Sequence, residues 1–314
     1  MAKGSVENNN GSYSKDTKMA DPESVSLACI NFHPEWGDKA ANLAKMKTFV
    51  TDAAGQGNHI IVFPELALSG YECSEDMGDE KKSCHMHADL AEAIPGPSTE
   101  EMSGLAKKLG VYIIFGMPEQ DKKNPATHYI SSVVIAPEGI LGAYRKLHLA
   151  PWPRFTESLC FSPGDAIPVW KTRYGNIGVL ICYDFYFFPE LARIMALKDA
   201  TLLVNTTASA AGPGKPYYIV QQTGCRATEN LVYAASANLV GKERTKTYYG
   251  HSVIAGPHDP KPAFIFAEGG ETEEIVSATL SFTKLKSYTE KLDWKKNRQF
   301  ELIHREMNKF SRNS

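Results

Sequence analysis

The sequence predicts an α/β fold in which two packed sheets are covered by helices. Three observations carry this expectation. From Ser24 onward, short apolar strand patterns alternate with helical ones. The middle of the chain holds a hairpin as well as crossover helices, a mixture that a single doubly wound sheet does not need. No internal repeat and no linker interrupt residues 24–283, so one domain is sufficient.

The elements follow in order. SVSLACINF (24–32) reads as a first strand. Residues 38–54 carry Ala41, Leu43, Met46, Phe49, Val50 and Ala53 at close to helical spacing. HIIVFPE is a short buried strand ending at Glu65. Residues 98–109 form a helix, with Ser98 expected as N-cap and Gly110 as its stop. VYIIFGMPE is a strand, and residues 128–149 read as a hairpin turning at PEG. NIGVLICYD is a strand, and PELARIMALKD is a helix with proline in its first turn. ATLLVNTTA is a strand and residues 214–230 are mostly helical. LVYAASANLVG, YYGHSVIAGPHDP and EIVSATLSF supply the last strands.

Residues 1–23 are polar, rich in Asn, Ser and Lys, and lack the apolar core of a signal peptide, so a disordered extension is expected there. Residues 284–314 are charged and amphipathic, and Trp294, Phe300 and Phe310 point to a tail that docks on another surface. Lys and Arg (34) nearly balance Asp and Glu (36), so neither a nucleic-acid surface nor a polybasic membrane patch is expected. No apolar run approaches the roughly 20 residues that span a bilayer. The six cysteines are widely spread and form no CxxC pair, which argues against a disulfide framework and for a reducing, cytoplasmic setting.

Three reactive side chains fall just beyond apolar strands: Glu65 after IIVFP, Lys146 after GAYR, and Cys182 after GVLI. Functional groups in open α/β sheets gather beyond the carboxyl ends of strands. If the three strands are neighbours, a carboxylate, an ammonium and a thiol converge. A thiolate attacks a carbonyl or nitrile carbon. A carboxylate can take the thiol proton and return it to a leaving amine. A fixed ammonium, with the Tyr183 backbone N–H as a second donor, can hold the oxyanion. The ammonium is also expected to help keep thiolate and carboxylate charged.

These residues lie in FPELALSGY, YRKLHL and GVLICYDFYFFPELAR, which in order and spacing resemble the three signature blocks of the nitrilase (carbon–nitrogen hydrolase) superfamily, amidase and N-carbamoylase branch. IPGPSTE, FSPGD and RATEN extend the resemblance over about residues 24–283. It implies a four-layer αββα sandwich and a triad in which Glu65 is the base, Lys146 the oxyanion support and Cys182 the nucleophile. It also implies a second glutamate, for which Glu157 in FTESLCFSPGD is the candidate, with the task of orienting the lysine. Pairing into a homodimer or larger homo-oligomer, with the tail at the interface, is implied as well. No metal and no organic cofactor is implied.

Simpler readings stand beside these. An isolated cysteine in an apolar strand is usually core, and that reading is kept for Cys29 and Cys225. Glu65 alone would be a loop acid, though its apolar flanks are unusual for one. Lys146 alone would be a surface lysine, and Glu157 a helix-start acid. Cys84, His85 and His87 are too close in sequence for an ordinary helix-face metal site and have no evident fourth ligand. Asp184 fits a turn-fixing role better than a catalytic one. Asn205 either lines a pocket or caps backbone groups.

For the substrate, CYD resembles amidases and carbamoylases, whereas nitrilases carry CWE. A small amide or N-carbamoyl compound is therefore expected. Nitrile hydrolysis, acyl transfer to an amine and a non-catalytic scaffold are the alternatives. Many amidase relatives place an arginine soon after CYD. FYFF stands there in this chain, which disfavours an acidic substrate and suits a neutral, apolar or cationic one. Tyr71, Trp152, Phe155 and Tyr186 are candidate pocket residues. Arg154 is a candidate carboxylate partner that keeps N-carbamoyl amino acids in view.

Overall fold

The computed structural model describes residues 24–72, 85–151 and 157–310. The expected extension at 1–23, Cys84, Trp152, Arg154 and Phe155 lie outside these residues.

In chain order the elements are β1 (Val25–Asn31), α1 (Lys39–Gly55), β2 (Ile60–Val62), α2 (His85–Leu90), α3 (Pro97–Leu109), β3 (Tyr112–Gln120), β4 (His128–Ala136), β5 (Gly139–Arg145), α4 (Glu157–Cys160) and β6 (Val169–Thr172). They continue with β7 (Gly175–Ile181), α5 (Tyr183–Phe187), α6 (Pro189–Leu197), β8 (Leu202–Thr207), α7 (Tyr217–Asn230), β9 (Tyr233–Asn238), β10 (Val240–Lys242) and β11 (Thr247–Tyr249). The last are β12 (Val253–His258), β13 (Lys261–Glu268), β14 (Glu274–Leu280), α8 (Phe282–Lys291) and α9 (Phe300–Phe310).

Two six-stranded sheets form the centre, in the orders β14-β1-β2-β3-β4-β5 and β13-β12-β9-β8-β7-β6. The middle of each is parallel: β1, β2 and β3 in one, β7, β8 and β9 in the other. Alternation along the first sheet explains the layering. Leu27, Cys29, Ile60, Val62, Tyr112 and Ile114 enter the core shared with the second sheet. Their neighbours Ala28, Ile30, Ile61, Phe63, Ile113 and Phe115 pack beneath α1 and α3, with Met46, Val50, Met102 and Ala106. A strand buried on both faces has no polar side, so it reads as a continuous apolar run. The Ser132 and Thr206 hydroxyls lie 2.6 Å apart across the two sheets. The αββα sandwich expected from the sequence is the architecture found.

Several local expectations differ. α3 starts at Pro97 with Gly96 as N-cap, because the Thr99 hydroxyl accepts from the Gly96 N–H. Ser98 instead bonds the Glu92 carboxylate through both its N–H and its hydroxyl. Strands β6 and β13 were not expected. Both lie at sheet edges, where a half-exposed strand gives only a weak apolar pattern. Cys225 is exposed on α7, which corrects its core reading, while Cys29 is fully buried. Cys160 is disulfide-bonded, so the expectation of reduced cysteines fails at that position.

Gly116 shows how the fold carries the site. The chain leaving β2 runs against β3, with the Gly116 N–H donating to Pro64 O and the Leu68 N–H donating to Gly116 O. A Cβ at Gly116 would lie 2.3 Å from Leu66 N and 2.7 Å from the Glu65 Cα. Gly116→Ala is therefore expected to displace the Glu65 segment and cost about 1–3 kcal/mol of stability, measured by chemical denaturation. Unchanged stability would show that this approach can relax.

Candidate active site

Glu65, Lys146 and Cys182 meet at one edge of the sandwich. Glu65 follows β2, Cys182 follows β7, and Lys146 follows β5, which runs in the same direction as β3 because β4 is antiparallel to both. All three are therefore delivered from carboxyl ends of strands.

Lys146 has no exposed surface, and its ammonium lies 2.7 Å from both Glu65 Oε1 and Glu157 Oε1. Each carboxylate is held from a second direction. Glu65 Oε2 accepts from the Ala208 N–H at 3.1 Å, and Glu157 Oε2 from the Ala150 N–H at 2.8 Å. The Tyr71 hydroxyl donates to Glu157 Oε1. Tyr71 itself is seated by a reciprocal clasp: Glu243 accepts from the Tyr71 and Glu72 N–H groups, and Glu72 accepts from the Arg244 and Thr245 N–H groups.

Cys182 sits on a strained turn at φ 46° and ψ −100°. That region costs a non-glycine residue about 1–3 kcal/mol. Its N–H is shared between Thr206 O and Asn205 Oδ1, both at 3.0 Å, so Asn205 caps backbone. Beyond the turn, Arg226 of the RATEN motif donates to the Phe185 and Tyr186 carbonyls and anchors the short helix α5. Tyr183 opens α5, where the first N–H groups lack intrahelical acceptors. Asp184 accepts from the Tyr144 hydroxyl, from the Leu147 and His148 N–H groups, and pairs with His148 Nδ1 at 2.7 Å. It thus ties the cysteine turn to the segment carrying Lys146.

Two carboxylates around one ammonium leave one uncompensated negative charge when all are ionised. Burial, opposed by the Lys146 ammonium, raises Glu65 to about 7. Burial, and then the Glu65 charge, push the Cys182 thiol up to about 12. Burial alone would lower Lys146, but Glu157 and Glu65 outweigh it and hold the ammonium charged. The Lys146 ammonium does favour the charged forms of Glu65 and Cys182, as expected, but burial outweighs it at both groups.

Tyr71 and Tyr186 are both buried near this centre. The Tyr186 hydroxyl donates to Thr207 Oγ1 at 3.2 Å, and Thr207 also hydrogen-bonds the Cys182 thiol. The aromatic run is mixed: Phe185 is buried, Phe187 is 60% exposed and Phe188 stacks on His148. His87 is a buried core histidine beside Ser69 and Tyr71 O, pushed by burial down to about 4. Among the described residues, no group of three or more His, Cys, Asp or Glu is placed to hold a metal. Sequence reasoning missed Tyr144, His148, Thr207, Arg226 and Glu243, whose contacts come from distant segments.

The family model of the carbon-nitrogen hydrolases matches residues 26–290. The chain belongs to the carbon-nitrogen hydrolase family. It is 36% identical over 266 residues to a probable nitrilase of Schizosaccharomyces pombe, covering 83% of this chain and 90% of that protein. It is 34% identical to an omega-amidase of Danio rerio, covering 88% and 95% respectively. Saccharomyces cerevisiae Nit3, a member of branch 10 of the nitrilase superfamily, superposes with a TM-score of 0.73 at 28% identity, over 86% of this chain and 94% of that one. This carbon-nitrogen hydrolase is thus an enzyme of a family whose relatives carry both nitrilase and amidase names.

The Glu65 shift has a consequence for stability. Between its ordinary value of 4.5 and about 7, the folded chain keeps a proton that the unfolded chain has released. This contribution is fully present below about 4.5 and is lost as pH rises toward 7. The stability of the wild type relative to Glu65→Gln is therefore expected to fall across that window in denaturation titrations. A flat or rising difference would mean that Glu65 is ionised throughout.

Proposed function

We propose that the enzyme hydrolyses a non-peptide C–N bond of a small linear amide or N-carbamoyl compound through a thioester on Cys182. The observation that carries this reading is the contact set joining the Cys182 thiol, the Glu65 carboxylate and the Lys146 ammonium.

Glu65 takes the thiol proton as sulfur attacks the carbonyl carbon and the C=O π pair moves onto oxygen. Proton transfer concerted with attack suits a thiol that rests protonated. The Lys146 ammonium and the Tyr183 N–H are assigned to the oxyanion. The tetrahedral centre collapses, the C–N bond breaks, and Glu65 returns its proton to the departing ammonia or amine. Water then gives a proton to Glu65, adds to the thioester and breaks the C–S bond, and the thiolate is reprotonated. Glu157 acts by fixing the Lys146 ammonium between two oxygens, and Tyr71 acts through Glu157.

We further infer a cytoplasmic homo-oligomer. α8 buries Leu285 and Tyr288, whereas α9 buries nothing. Phe300, Ile303, Met307 and Phe310 are exposed and share one helical face. Among the described residues, no helix is long and apolar enough to cross a membrane. Phe300→Asp with Phe310→Asp is expected to lower the assembly mass in light scattering. An unchanged mass would remove α9 from the interface.

Ammonia release from aliphatic and aromatic amides, N-carbamoyl amino acids, carbamoyl amines and nitriles tests the chemistry. Cys182→Ala is expected to lower release by about 10³-fold or more, and Lys146→Ala by at least about 10²-fold. Hydroxylamine should trap the thioester as a hydroxamate. Release unaffected by Cys182→Ala would overturn the mechanism, and release from nitriles alone would reassign the substrate.

A further inference from the structure

A chain of buried polar groups crosses from the first sheet to the second and ends against Glu65. Asn31, the last residue of β1, accepts from the Ser252 N–H through Oδ1 at 3.0 Å. Ser252 Oγ accepts from the Asn238 N–H at 2.9 Å. Asn238, the last residue of β9, grips Ser209 from both sides. Its Oδ1 accepts from the Ser209 N–H at 2.8 Å, and its Nδ2 donates to Ser209 O at 3.3 Å and to Gly250 O at 2.8 Å. Asn31, Asn238 and Ser252 have no exposed surface. Next to Ser209 is Ala208, whose N–H donates to Glu65 Oε2. The carbonyl of that same peptide, Thr207 O, accepts from the N–H of Leu239, the residue after Asn238.

We propose that Asn238 is a positioning residue for the base, holding the chain beyond β8 so that the Ala208 N–H points at Glu65. The inference rests on the reading of Glu65 as base. β8 ends at Thr207, and beyond it the strand ladder no longer sets the peptide planes. Asn238 replaces the ladder by giving Ser209 one acceptor and one donor. Its partners are backbone N–H and C=O groups, which fixes the orientation of the amide. Serine offers a single proton, and an ionised aspartate offers none to the two carbonyls. Glu65 binds Lys146 through Oε1 and Ala208 through Oε2, so the Ala208 N–H holds the carboxylate from the side away from the ammonium. A hydrogen bond donated to a carboxylate favours its charged form. With the Ala208 N–H loosened, Glu65 ionises less readily and is freer to turn. The titratable groups acting on Glu65 or responding to its charge are Lys146, Glu157, Cys182, Tyr71 and Tyr248, and a change at Asn238 alters none of them chemically.

The test follows kcat/KM against pH for the panel amide that the wild type turns over fastest. Wild type, Asn238→Ala, Asn238→Ser and Asn58→Ala are compared. Asn58 is a buried asparagine before β2, at the end opposite Glu65, and donates to Ala53 O, so its variant controls for lost stability. Asn238→Ala is expected to move the acid limb upward by about 0.5–1 pH unit, a loss of about three- to tenfold on the acid side that is mostly regained at high pH. Asn238→Ser should move it less, and Asn58→Ala not at all. If Asn238→Ala fails to fold, Asn238→Ser carries the comparison. A limb unmoved in every folded Asn238 variant would overturn the proposal, as would an equal shift in Asn58→Ala. In parallel, the stability of wild type and of Asn238→Ser, each relative to its own Glu65→Gln counterpart, is titrated by denaturation. The fall with rising pH should end at higher pH in Asn238→Ser. If no amide is turned over, the hydrolase reading fails, while this substrate-free window still decides the role of Asn238, and an unmoved window rejects it.

Discussion

The site depends on a buried ammonium. Moving Lys146 out of water without partners would cost several kcal/mol or drive it neutral. It is held charged because Glu65 and Glu157 lie against it at 2.7 Å and are themselves fixed by backbone N–H groups. Burial of the same cluster, with the carboxylate charges adding to it, has two consequences. Glu65 is raised to about 7, and the neighbouring thiol is pushed up to about 12.

The sandwich makes this arrangement possible. Parallel strands in each sheet end at the same edge, so segments far apart in sequence deliver their side chains to one place. Rigid connections hold them there. Asp184 joins the Cys182 turn to the Lys146 segment, and Arg226 fixes the carbonyls of α5. The strained backbone at Cys182 persists because both sides of the turn are fixed. Glu72 and Glu243 place Tyr71 against Glu157 from outside the two sheets.

Charge is arranged in two separate zones around the thiol. Lys146 is enclosed and matched by carboxylates, and Lys215 lies over tyrosine rings. Thr207 and Tyr186 lie between them.

The sequence by itself determined the sheet strands that are buried on both faces and the three strand-end residues. A doubly buried strand must be apolar along its whole length, and a charged or nucleophilic residue at its end stands out for that reason. It also determined the turn at PEG and the stop at Gly110, where local chemistry decides. Edge strands β6 and β13 escaped because a half-exposed strand carries little apolar pattern. Cys225 was misread because its helix turns that position to solvent. Only the tertiary structure decided the burial that pushes up the Cys182 thiol, the backbone cap made by Asn205, and the meeting of Lys215 with three tyrosines. Burial, net charge and contact between distant segments are properties of the packed chain, and no local stretch of residues contains them.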